Sequence, residues 1–88
     1  MFEGKAALLN GASRGMGLAI AQAILDRGGK VCITGRKQSS LDQALADLAA
    51  GNRAICVAGS SADPEHRKKA INSTLEAFGS LDLLVNNA

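Results

Sequence analysis

Tyrosine and tryptophan are absent from this 88-residue sequence, and its only aromatic side chains are Phe2 and Phe78. That removes tyrosine as a catalytic acid from these residues. A strong charge bias is missing as well. Ten Lys and Arg against eight Asp and Glu leave a net charge of +2, too weak to suggest nucleic acid or an anionic membrane as a partner. No apolar run approaches the ~20 residues needed to cross a bilayer. The start, Met1-Phe2-Glu3-Gly4-Lys5, lacks the apolar stretch of a secretory signal. A soluble cytoplasmic protein is the expectation. Cysteine is limited to Cys32 and Cys56, with no CxxC spacing and a single histidine, His66. A disulfide, a metal pair or a redox centre needs more than this, so buried reduced thiols are expected.

Apolar residues make up 47% of the chain and charged residues 20%, the composition of a globular protein. Short apolar runs alternate with helical patterns. Lys5-Ala6-Ala7-Leu8-Leu9 is the first run, stopped by Asn10-Gly11. Leu18, Ile20, Ile24 and Leu25 then recur at helical spacing from Gly15 to Arg27, and Gly28-Gly29 supplies the stop. A run rich in β-branched residues follows from Lys30 to Thr34, ended by Gly35. Ser40 and Gln43 read as a capping box for a helix carrying Leu41, Leu45 and Leu48, ended by Gly51. Arg53 to Ala58 is the third run. Asp63-Pro64 opens another helix, with Asp as N-cap and Pro at the first helical position. Ile71, Leu75 and Phe78 are expected on its buried side, Gly79 ends it, and Leu81 to Val85 is the fourth run.

The order β-α-β-α-β-α-β, with continuous apolar strands, predicts an α/β fold built on a parallel sheet covered on both faces. Right-handed crossovers give strand order 3-2-1-4, with the first two helices on one face and the third on the other. This is one half of a Rossmann-type doubly wound fold, and residues 1–88 read as one dinucleotide-binding unit with no second domain. The fourth run is apolar enough to want neighbours on its open side. The expectation is that the sequence belongs to a longer chain or associates with another copy of itself, as a homo-oligomer.

Chemistry concentrates in Asn10-Gly11-Ala12-Ser13-Arg14-Gly15-Met16-Gly17, between the first strand and the first helix. Gly11 makes the tight turn, Gly15 lets the backbone approach a pyrophosphate, and Gly17 lets the helix pack close to the sheet. The unsatisfied N–H groups and the positive end of the helix dipole then face the anion. A glycine-rich turn that holds no ligand is the plainer alternative.

The Gly-x-x-x-Gly-x-Gly spacing, together with Asn86-Asn87-Ala88 directly after the fourth run, resembles the classical short-chain dehydrogenase/reductase family over the whole chain. The family shows Thr-Gly-x-x-x-Gly-x-Gly and Asn-Asn-Ala-Gly; here Asn10 replaces the Thr, a residue that also tolerates turns. The resemblance implies that Ser13, Arg14 and Met16 contact the cofactor phosphates and adenosine ribose. It also implies that Asn86, Asn87 and Ala88 support the sheet and border the cofactor ribose. Ser60 and Ser61 stand at the adenine pocket, with Ser60 where many members have Asp. Asp63 is better explained as a helix cap, and His66, beside Arg67, Lys68 and Lys69, as a solvated surface residue.

Cofactor choice follows from charge. An NAD-binding site usually places a carboxylate at the end of the second strand. Here Thr34-Gly35-Arg36-Lys37 has none. Arg36 and Arg14 could clamp a 2′-phosphate through planar guanidinium groups, which favours NADP(H) over NAD(H). Otherwise Arg36 and Lys37 are solvated loop charges. The resemblance implies hydride transfer between the nicotinamide and a carbonyl or alcohol substrate, in a reaction using Tyr, Lys and Ser that lie after the Asn-Asn-Ala-Gly segment. These 88 residues contain no Tyr, so no catalytic residue is assigned, and the chain alone is expected to be inactive. Two other readings stand beside this one. The first is a non-catalytic, truncated nucleotide-binding or subunit-interaction module. The second, an S-adenosylmethionine methyltransferase, expects an acidic residue where Gly35-Arg36 stands.

Overall fold

The computed structural model describes residues 2–11, 15–60 and 62–86. Its elements run β1 (Ala6–Asn10), α1 (Gly15–Asp26), β2 (Lys30–Gly35), α2 (Gln38–Leu48), a 3-10 turn (Gly51–Arg53), β3 (Ala54–Ala58), α3 (Pro64–Phe78) and β4 (Leu83–Asn86). The strands form one parallel sheet in the order β3-β2-β1-β4, as the alternation of runs predicts.

Side chains alternate across the sheet, so β1, β2 and β3 feed two cores. Ala7, Leu9, Val31 and Ile33 pack with Ala21, Ile24 and Leu25 of α1 and Leu41, Ala44 and Leu48 of α2. Leu8, Cys32 and Val57 face the other way, onto Ala70 of α3. The first two helices therefore share one face and the third lies on the opposite one. Cys32 is fully buried and Cys56 half-buried, and both thiols are free. Burial pushes the Cys32 thiol above its ordinary value, with the Thr74 side chain acting more weakly in the other direction.

Local signals set α3 as expected. The Asp63 carboxylate accepts the Glu65 N–H at 3.0 Å, Pro64 takes the first helical position, and Gly79 closes the helix at φ 80°. Its buried face differs from the expected one. His66, Ala70 and Thr74 turn inward, whereas Ile71 and Leu75 are exposed and Phe78 is only partly covered. Small inner residues let the helix lie close to the sheet, which rotates the larger aliphatic side chains outward.

The expected start of α2 is also corrected. The helix begins at Gln38 with Lys37 as an N-cap that makes no side-chain bond, so Ser40 and Gln43 form no capping box. Gln43 instead donates to Asp47 at 3.0 Å, one helical turn on. Burial of Leu41, which is wholly inaccessible, outweighs the modest gain from a cap. The helix ends at Ala49, held in the left-handed region at φ 49°, before Gly51 is reached.

Two side chains beyond the apolar pattern secure the bottom of the sheet. Arg53 donates from Nη1 to the carbonyls of Leu25 (3.1 Å) and Gly29 (3.0 Å), joining the start of β3 to the end of α1. Asp82 accepts the Ala6 N–H at 2.9 Å and the Ser80 hydroxyl at 2.9 Å.

Arg53→Ala in the full-length protein is expected to cost about 1.5–3 kcal/mol, the loss typical of hydrogen bonds from a charged donor. The midpoint of urea unfolding measures it, and an unchanged midpoint would contradict the role. The two bonds to Asp82 hold its carboxyl below the ordinary value of 3.8, the Ala6 N–H being the larger cause and Ser80 the second. A depressed folded-state value means that the ionised group contributes stability above the ordinary value. That contribution is lost as pH falls through the depressed one. Asp82→Asn should therefore flatten the acid limb of the thermal-stability profile below pH 3.8. Parallel limbs in the two proteins would show that the carboxylate contributes nothing.

Candidate functional site

Parallel strands all deliver their C-terminal ends to one edge of the sheet, where the doubly wound architecture places ligands. Gly11, Arg36, Ser60 and Asn86 stand at or just beyond the ends of β1, β2, β3 and β4, and Gly15, Met16 and Gly17 open α1 at the same edge. Of the residues expected from the sequence, these seven are therefore brought together. Ser13, Arg14, Ser61 and Ala88, like Asn87, lie outside the described residues.

Gly11 makes the turn out of β1 at φ 73°, a conformation that favours glycine. Gly15 begins α1 at φ 65°, is exposed, and has no heavy atom of the other described residues within 4 Å of where a Cβ would stand. Among the described residues the space over this backbone is open, as a pyrophosphate approaching main-chain amides requires. Gly17 is buried, as close helix-sheet packing demands. No acidic residue occupies the first turn of α1, so nothing in that turn opposes the positive end of its dipole. Met16 is 72% exposed at the same helix opening. Arg36 is exposed one residue beyond β2, within the stretch Thr34-Gly35-Arg36-Lys37 that carries no carboxylate. Among the described residues this edge therefore joins an open helix start to an exposed guanidinium.

The turns are tied to one another through the end of β2. Gly11 donates its N–H to the Thr34 carbonyl (3.1 Å), and Gly59 donates to the Gly35 carbonyl (2.9 Å). The Thr34 hydroxyl donates to Asn10 Oδ1 at 3.0 Å. The Ser60 hydroxyl accepts the Ala62 N–H at 3.2 Å.

His66 is the residue that sequence reasoning misplaced. It is 6% exposed, and its Nε2 is buried with no hydrogen-bond partner among the described residues. Its ring lies directly against Gly59, where an added Cβ would collide with Nδ1. The inward rotation of α3 that exposes Ile71 is what buries His66. A helix-length count from Ala70 and Thr74 would have placed the histidine on their stripe, since the three recur every four residues.

Thus the geometry is that of a Rossmann-type sheet with a glycine-rich first turn. Comparison with known proteins agrees. A family model described as short chain dehydrogenase matches residues 5–88. The chain belongs to the short chain dehydrogenase family. It is 40% identical over 90 residues to the dehydrogenase/reductase SDR family member 4 of Caenorhabditis elegans, covering 98% of this chain and 34% of that protein. Among solved structures, the NADP-bound C-domain of a bacterial malonyl-CoA reductase superposes with TM-score 0.93 and 36% identity, covering 99% of this chain and 15% of that one. The L-sorbose reductase of Gluconobacter frateurii, solved with NADPH and L-sorbose, gives TM-score 0.90 and 36% identity over 99% of this chain and 34% of that one. The chain spans about a third of the length of the curated relatives it matches.

The contact between Gly59 and His66 generates a coupled prediction. Gly59→Ala is expected to lower the thermal midpoint of the full-length protein, and adding His66→Ala should restore part of that loss. Strictly additive losses would show that the ring does not set the requirement for glycine.

Proposed function

We propose that these residues form the cofactor-binding part of an NADP(H)-dependent oxidoreductase, which moves a hydride between the nicotinamide and a carbonyl or alcohol substrate. The carrying observation is the open, left-handed start of α1 at Gly15, with exposed Arg36 at the same edge. Amides of the first turn receive the pyrophosphate. Gly11, Ser13, Arg14, Gly15, Met16 and Gly17 supply that turn, and Ser60 and Ser61 border the adenine. Asn86 and Ala88 border the ribose. Arg36, with Arg14, pairs with the 2′-phosphate that distinguishes NADP from NAD. A carboxylate would repel that group, and none stands at the end of β2. Residues 1–88 act as one dinucleotide-binding unit, and the nicotinamide supplies the hydride chemistry once bound.

Two solved relatives support this reading, since one holds NADP and the other NADPH with L-sorbose. We assign the full-length protein to the cytoplasm as a homo-oligomer. No helix among the described residues is long and apolar enough to cross a membrane, and the exposed Leu83 and Leu84 of β4 call for cover from the rest of a longer chain or from a second copy.

NADPH and NADH affinities of the full-length protein test the assignment. Arg36→Ala should weaken NADPH by about ten- to a hundredfold, the loss of a charged hydrogen bond, and leave NADH nearly unchanged. Equal losses for both cofactors would overturn the phosphate clamp. Gly15→Val should abolish the calorimetric heat with either dinucleotide, and unchanged heats would overturn the pyrophosphate site itself.

A further inference from the structure

At the cofactor edge, β2 contributes more than its exposed arginine. Thr34 is 2% exposed and meets the first turn through two different groups. Its carbonyl accepts the Gly11 N–H at 3.1 Å, and its hydroxyl donates to Asn10 Oδ1 at 3.0 Å. Asn10 is the last residue of β1 and pairs in register with Asn86 of β4. Gly11 follows it at φ 73°. The side-chain bond thus fixes the residue immediately before the turn, and the main-chain bond fixes Gly11, the turn's first residue. Water does not readily take the place of either partner, because Thr34 is buried.

Asn10 and Thr34 lie two residues beyond Leu8 and Cys32, which both face α3. By strand alternation their side chains share that face, beneath the turn and away from the solvent side where a dinucleotide would approach. A bond in that position braces Asn10 and, through the same residue of β2, the Gly11 that follows it.

We propose that the Thr34 hydroxyl is a positioning group: paired with Asn10, it latches the glycine turn in the geometry that receives the dinucleotide pyrophosphate. This rests on the cofactor reading given above. The latch is a property of this chain's own pair, Asn10 with Thr34, rather than of the glycines. Thr34→Val keeps the side-chain shape and removes the donor, leaving Asn10 Oδ1 without its partner. Thr34→Ser restores the donor at some cost in packing.

The test uses the full-length protein with two readouts. NADPH binding, followed by its fluorescence, should weaken roughly three- to tenfold in Thr34→Val, the range for losing one neutral hydrogen bond, and recover to within about twofold in Thr34→Ser. Hydrogen exchange without ligand should show the Gly11 amide exchanging faster in Thr34→Val, with the amides of β2 and β3 unaffected. The Asn10→Ala/Thr34→Val double variant should bind NADPH no more weakly than the poorer single variant. Unchanged binding and Gly11 exchange in Thr34→Val would overturn the latch, as would a Thr34→Ser protein as impaired as Thr34→Val. Should Thr34→Val fail to fold, Asn10→Ala carries the same exchange measurement, and an unaltered Gly11 amide overturns the proposal. A parent protein that does not bind NADPH overturns the cofactor reading instead. Gly11 exchange alone then decides the latch.

Discussion

The last two carbonyls of β2 hold the functional edge together. Thr34 O accepts from Gly11 and Gly35 O from Gly59, so the turns after β1 and β3 are both fastened to one central strand. These bonds extend the sheet's own ladder past its regular ends. Buried main-chain groups must find partners, and here the partners are the turns that would otherwise wander over the site. Gly15, open among the described residues, begins α1 at the same edge, where a helix N-terminus attracts an anion through oriented amides.

Electrostatics and packing divide the labour at this edge. Packing places the amides, through the buried Gly17 and the apolar layer of Leu9, Ile33 and Ile24 beneath. In the proposed reading charge then selects the ligand, through Arg36 and the absence of a carboxylate after β2. The two contributions lie on different elements, so a change in one need not disturb the other. That separation suits a family in which a single scaffold accepts related dinucleotides.

How much of this could be read from the residues depends on how far each signal reaches. Asp63-Pro64 and Gly79 bound α3 as expected, because capping and the left-handed stop are decided within a few residues. Strand order followed from alternation and handedness, which are global but nearly universal. The start of α2 was not legible. Ser40 and Gln43 offer a local cap, but the helix begins three residues sooner, with Leu41 wholly buried. The rotation of α3 was equally hidden, since Ile71 and Leu75 satisfy helical periodicity as well as Ala70 and Thr74 do. Only the approach of the sheet chooses between them. The partner of Thr34, 24 positions away, emerges only once two strands lie side by side.

The narrow inner face of α3 gives the fold a mechanical property. With Ala70 and Thr74 against the strands and His66 seated on Gly59, the helix rests on the sheet with little slack between them. Interiors packed to crystal density resist compression and pass displacement on. Any enlargement at Ala70 must lift the rod as a whole, and its leading end is joined directly to the loop that follows β3. Volume changes deep in the interior would thus arrive at the binding rim as movement, with α3 acting as the lever between them.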